Sequence, residues 1–155
     1  MKKIILCLIT LLFVLTACKS KENVVVYADY LSDEYTIDTT DMKNMEIISL
    51  SNEYDLFIRN NSESSSFVVF FADTKVKDFE YFTIAIPYGD KIEYTYEKPV
   101  LHYDDLSANK SLIIQMDMPE TIPFYGISYK DENGDVVRFA IHVSGYDGSI
   151  VLENF

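Results

Sequence analysis

From Val24 onward, several runs carry apolar residues at alternate positions. Tyr54, Leu56 and Ile58 share one side of a run. Ile92, Tyr94 and Tyr96 share another, with Glu93, Thr95 and Glu97 opposite, and Leu112, Ile114, Met116 and Met118 alternate with residues that include Gln115 and Asp117. A period of two is that of a pleated strand, whose side chains point alternately to its two faces. Two runs, "FVVFF" (Phe67–Phe71) and "FEYFTIAI" (Phe79–Ile86), are apolar on both sides and read as central strands. Nine or ten strands can be counted, and no stretch keeps a helical period. The polar, acidic stretch Asp29–Asn44 reads as loop, edge strand or helical turn.

The breaks between strands carry turn chemistry. "RNNSESSS" (Arg59–Ser66) is a polar bend of residues that bond their own backbone, and "PYGDK" (Pro87–Lys91) separates two strands. "DENGD" (Asp131–Asp135) marks a hairpin whose loop length sets the register. A two-residue loop at Asn133-Gly134 would place Phe139 against Ser128. A three-residue loop, Glu132-Asn133-Gly134, pairs Tyr129 with Val137, Ile127 with Phe139 and Tyr125 with Ile141, and so makes one apolar face. The longer loop is therefore expected, with Gly134 left-handed in a bulge and Asp131 facing Asp135. Short strands with a turn every eight to twelve residues, rich in Tyr (12) and Phe (10), predict an all-β fold, an antiparallel β-sandwich, over residues 24–155.

Within that domain, "LFIRNNSESSSFVVFF" followed by "IAIPYGDKIEY" resembles consecutive strands of bacterial immunoglobulin-like or fibronectin-like modules, in which an Asn-Asn-Ser bend joins two strands and a Pro-x-Gly precedes the next. The resemblance spans about forty residues and implies that sandwich type. The chain has no Trp and no cysteine in the domain, so the buried Trp and disulfide of true immunoglobulin domains are missing.

The amino-terminal end has a different character. Met1-Lys2-Lys3 is a basic start, and Ile4–Leu15 is an uncharged apolar run of twelve residues. As a helix it would reach only ~18 Å, short of a ~30 Å hydrocarbon core, so it reads as the apolar region of a helical signal peptide covering residues 1–17. The next residues, Leu15-Thr16-Ala17-Cys18, resemble the lipobox of bacterial lipoproteins. That resemblance implies cleavage before Cys18, a diacylglyceryl thioether on its sulfur and, often, acylation of the new amino terminus. Two or more chains anchor stably where one does not. Residues 18–23 then form the lipidated Cys and a short tether, and the expected location is the cell envelope, outside the cytoplasm, with the membrane as partner through Cys18.

Charge narrows the partners. Without Lys2 and Lys3, the 13 basic residues fall to 11 against 25 acidic ones, a formal charge of −14. That argues against nucleic acid and is compatible with a soluble surface or a basic partner. Catalytic and metal constellations are sparse. His102 and His142 are forty residues apart, without the ligand spacing of a zinc site. "DENGD" and "GYDGS" (Gly145–Ser149) resemble fragments of calcium loops, but turn chemistry accounts for both. Ser144 and Asp147 lie near His142 in sequence, on strand and turn positions whose alternation points them apart. The expectation is therefore a non-enzyme that needs no cofactor. Tyr81, Tyr88, Tyr94, Tyr96 and Tyr103 crowd the middle third, either as core or as a binding surface; Tyr88, Tyr94, Tyr96 and Tyr103 are the candidates for a surface that contacts a glycan or a protein. The functional expectation is an envelope lipoprotein whose sandwich binds or supports without catalysis. The alternatives are an acidic inhibitor or immunity-type lipoprotein that neutralises a basic enzyme, and a Tyr-based glycan-binding module.

Overall fold

A computed structural model describes residues 25–59, 65–86, 93–117 and 119–155. The leader, Cys18, the tether, most of the Asn-Asn-Ser bend, the "PYGDK" turn with Tyr88, and Met118 lie outside the described residues. Ten strands follow in order: β1 (Val26–Tyr30), β2 (Glu46–Ser49), β3 (Tyr54–Ile58), β4 (Ser65–Ala72), β5 (Val76–Ala85), β6 (Thr95–Leu106), β7 (Ser111–Asp117), β8 (Tyr125–Lys130), β9 (Val136–Val143) and β10 (Ile150–Asn154). They form two five-stranded sheets, β1-β4-β7-β3-β2 and β10-β9-β8-β5-β6, packed as a sandwich.

The two runs with apolar residues on both sides are internal strands. β4 lies between β1 and β7, and β5 lies between β6 and β8. The inner faces meet through Phe57, Phe70, Phe79, Tyr81, Leu112 and Ile127, all at most 2 % exposed. The sandwich is not purely antiparallel as the sequence suggested: β3 and β7 pair in parallel, Leu56 beside Ile113 and Phe57 beside Ile114. The reason is topological. β3 and β4 run in opposite directions, and β7 returns from the other sheet to fill the gap between them. Antiparallel to β4, it is necessarily parallel to β3. Both members of this pair are buried on both faces, as parallel pairs require.

The outer faces carry small cores of their own. On the first sheet Leu56, Ile58 and Ile113 are buried beneath Leu31, Ile37 and Met42. These three come from the stretch Asp29–Asn44, whose first two residues end β1 and whose remainder lies in an irregular strap, residues 31–45, running from β1 to β2 over the sheet. On the second sheet Phe82, Ile84 and Ala140 are buried beneath Ile86, Tyr94 and Tyr96.

The β8–β9 hairpin has the expected register. Tyr125, Ile127 and Tyr129 face Ile141, Phe139 and Val137. The Asp131 N–H donates to the Asp135 carbonyl at 2.9 Å, and Gly134 has φ +85°. The Asp131 carboxylate also accepts from the backbone N–H groups of Asn133 (2.8 Å) and Asp135 (2.9 Å), which fixes the loop.

Strand directions define two poles. Val25, the β4–β5 and β6–β7 turns and the β8–β9 hairpin lie at one; the β7–β8 loop and the β9–β10 turn lie at the other. Gly126 gives the most direct test of the packing on the second sheet. A Cβ there would lie 2.6 Å from the Phe139 carbonyl oxygen and 2.7 Å from the Phe82 ring. Gly126→Ala should destabilise the domain by about 1–3 kcal/mol in urea unfolding; unchanged stability would show that Phe82 does not lie across this glycine.

Candidate functional site

The most tightly held polar group between the sheets is Asp55, on the face of β3 that also carries Phe57. Its carboxylate accepts from the Tyr103 hydroxyl of β6 at 2.5 Å and pairs with Lys110 Nζ, on the β6–β7 turn, at 2.6 Å. Lys110 also donates to the Ser49 hydroxyl at 3.3 Å. Burial pushes the Asp55 carboxyl upward, but hydrogen bonds from Lys110, Tyr103 and Ser49, together with the lysine charge, outweigh it and hold the group below its ordinary range. The Tyr103 phenol is raised in turn, first by burial and then by its bond to the Asp55 carboxylate. The arrangement holds an ionised acid and a neutral phenol in place. It acts as a clamp between the sheets at the amino-terminal pole. At the opposite pole the Tyr125 hydroxyl donates to Asp117 at 3.1 Å, and the Arg59 guanidinium lies 5.9 Å above the Tyr125 ring.

The tyrosines singled out from the sequence are divided. Tyr103 faces the space between the sheets, as its bond to Asp55 shows. Tyr94 and Tyr96 are together on the outer face of the second sheet, half-buried. The Tyr96 ring packs 4.8 Å from Phe82 at 41° and receives the Arg138 guanidinium at 5.9 Å. The Tyr94 ring meets Phe155 edge-on at 76°, and its hydroxyl donates to Glu153 at 3.1 Å. Each ring is turned against its neighbour, as in a packed cover rather than a flat platform. Tyr88 lies outside the described residues.

His142 is on the same side of β9 as Arg138 and Ala140, as alternation required, and its Nε2 is 3.5 Å from Glu153. That side is not open to water throughout, since Ala140 is buried. His102 lies beside a shallow groove on the same outer face, with Asp104 at 3.4 Å and Asp78 and Glu80 at 4.0 Å. Asp78 is left-handed at a bulge in β5 and ion-pairs with Lys130 at 2.7 Å; its carboxyl is lowered by that bond. Among the described residues no group of three or more His, Cys, Asp or Glu is placed to hold a metal ion. "GYDGS" is a turn in which the Asp147 carboxylate accepts from the Ser149 N–H and hydroxyl.

At the far pole the β7–β8 loop exposes two large apolar side chains. The β7–β8 loop crosses the ends of two strands and is pinned on both sides. The Glu120 carbonyl accepts from the Val143 N–H at 3.0 Å and the Phe124 carbonyl from the Ile84 N–H at 2.9 Å. Pro119 and Pro123 are buried, while Ile122 and Phe124 are 57 % and 54 % exposed. Behind the loop is a cavity of about 260 Å³ lined by Met116, Asp117, Glu120, Phe124, Tyr125 and Ile141. Sequence offers little warning of this site, because Ile122 is a single apolar residue between two prolines and Phe124 directly follows the second, with no strand period to join them.

The chain matches no family model, no curated protein and no solved structure. Among the described residues, no helix is long and apolar enough to cross a membrane.

The clamp predicts a pH dependence. Because the Asp55 pKa is lower folded than unfolded, its contribution is complete above about pH 4, the unfolded carboxylate value, and disappears as pH falls through the folded value. Asp55→Asn should lose about 1.5–3 kcal/mol at neutral pH, and the gap from the unaltered chain should close in acid. A gap that persists unchanged at pH 2 would assign the loss to shape rather than charge.

Proposed function

We propose that this chain is a lipid-anchored protein of a bacterial cell envelope whose β-sandwich is a non-catalytic module for surface binding or support. The observation that carries the reading is the sequence Leu15-Thr16-Ala17-Cys18, placed directly after a basic start and a short apolar run. The domain arrangement is compatible with it. The described domain begins at Val25, and seven residues of extended chain reach at most ~25 Å, so an anchor at Cys18 keeps the sandwich beside the bilayer. Cys18 follows Cys7, and neither lies in the domain, so a thioether at Cys18 removes no disulfide from the fold. The likeness of the Leu56–Tyr94 stretch to immunoglobulin-like modules belongs to the same proposal, since sandwiches of that kind recur in cell-surface proteins.

A second reading has one observation in its favour. The strap over the first sheet carries Asp33, Glu34, Asp38 and Asp41 exposed along its length. An acidic inhibitor or immunity-type lipoprotein would use such a surface to steer a basic enzyme into contact, with affinity that falls steeply as salt rises.

The anchor is tested by detergent-phase partitioning of the full chain expressed in bacterial cells. The unaltered chain should enter the detergent phase and Cys18→Ser the aqueous phase. Equal partitioning of the two would remove the basis of the proposal.

A further inference from the structure

The outer face of the first sheet is not covered evenly. Its side chains stand in rows that cross the strands. Leu56, Ile58 and Ile113, in the rows farther from the amino-terminal pole, are buried beneath the strap. The row nearest that pole is left bare. Tyr27 of β1 faces Phe71 of β4, and Tyr54 of β3 faces Ser111 of β7. Phe70 pairs with Leu112, which makes Phe71 and Ser111 neighbours one step closer to the pole. Leu50, whose N–H donates to the Tyr54 carbonyl, ends the row. These five residues carry no charge, in a chain with 25 acidic ones. Tyr27, Phe71 and Leu50 are 37 %, 40 % and 38 % exposed, and the Tyr27 and Phe71 rings stack at 5.4 Å and 19°. The Tyr27 hydroxyl donates to Asp73 at 2.8 Å, which fixes its ring beside Phe71.

We propose that this row rests in the interface of the bilayer that holds the anchor, with the near end of the first sheet tilted onto the lipid headgroups. The proposal rests on the lipid-anchor reading, and the choice of a bilayer over a partner protein comes from where the chain enters. The Val25 carbonyl accepts from the Asp73 N–H at 3.0 Å, and Tyr27 follows two residues later, ~7 Å along β1. At most ~25 Å of chain separates Cys18 from Val25, so a lipid at Cys18 holds the row beside the membrane at all times. Contact is then intramolecular, and even weak apolar contact is populated. Tyrosine, an apolar ring with a polar tip, settles at headgroup level. Sinking stops at the next row, where Asp29 is exposed, and the acids of the strap lie beyond it. The exposed Ile122 and Phe124 do not compete for the bilayer. They lie at the far pole, and the ten residues of β5 alone span ~33 Å, more than the tether reaches.

The chain has no Trp, so a single Trp introduced at a chosen position reports alone. The test places the full lipidated chain in phosphatidylcholine nanodiscs, with and without lipid brominated high on its acyl chains. Phe71→Trp should emit at shorter wavelength in the disc than the Cys18→Ser, Phe71→Trp double variant does in buffer, and brominated lipid should quench it. Tyr27→Trp should behave alike, which keeps the test open if one substitution disturbs the fold. Phe124→Trp should keep its emission. Unquenched emission from both Phe71→Trp and Tyr27→Trp in a chain held by the disc would overturn the proposal, as would equal quenching of Phe71→Trp and Phe124→Trp. A second copy of the chain on this face would show as a blue shift of the double variant that grows with protein concentration without lipid, and would overturn it too. A chain that never joins the disc removes the anchor reading itself; absence of quenching with the chain still in the disc leaves that reading intact.

Discussion

Apolar contact between two inner sheet faces holds this domain together without a covalent staple. Both cysteines precede Val25, so no disulfide can link the sheets. Each fully buried Phe or Leu contributes roughly 1.5–3 kcal/mol relative to exposure, but such contact is non-directional and does not by itself fix how one sheet lies over the other. Direction comes from a few polar bonds at the poles. Tyr103 to Asp55 with Lys110 sets the amino-terminal pole, and Tyr125 to Asp117 sets the far one. Tyrosine suits this role because its ring adds to the core while its hydroxyl reaches a carboxylate at the edge.

A sheet buried on one face alternates cleanly, and one buried on both does not. Here both sheets are partly covered outside as well as inside. The first is covered by the strap carrying Leu31, Ile37 and Met42, the second by Tyr94, Tyr96 and Phe155. This accounts for the aromatic richness of the chain. Tyr94 and Tyr96 complete a small outer core around Phe82, whose ring lies where only a glycine, Gly126, lets it approach the neighbouring strand.

The elements legible in the sequence were those governed by local rules. Alternation located the strands, double-sided runs identified β4 and β5 as internal, and the conflict between Phe139 and Ser128 fixed the hairpin loop at three residues. The parallel β3–β7 pair was not legible, because strand order depends on where a chain returns after crossing to another sheet. The strap was not legible either, since Leu31, Ile37 and Met42 have no period and are ordered only by the sheet beneath them. The Asp55 clamp joins residues 48 positions apart along the chain, and no spacing rule links them. The far-pole loop was hidden for the same reason: its backbone pins involve Val143 and Ile84, which tertiary structure alone brings near.

Position gives these features a common sense. The domain enters at one pole, where Val25 bonds to Asp73, and presents its pinned apolar loop at the other. A lipid at Cys18 would turn that polarity into an orientation relative to the bilayer, and the proposed function depends on it. The most direct measurement is the intact mass of the chain extracted from bacterial membranes. The account predicts a mature chain that starts at Cys18 and is heavier than its sequence by a diacylglyceryl group, with or without an added acyl chain. A free thiol at Cys18, or a chain still carrying Met1, would contradict it.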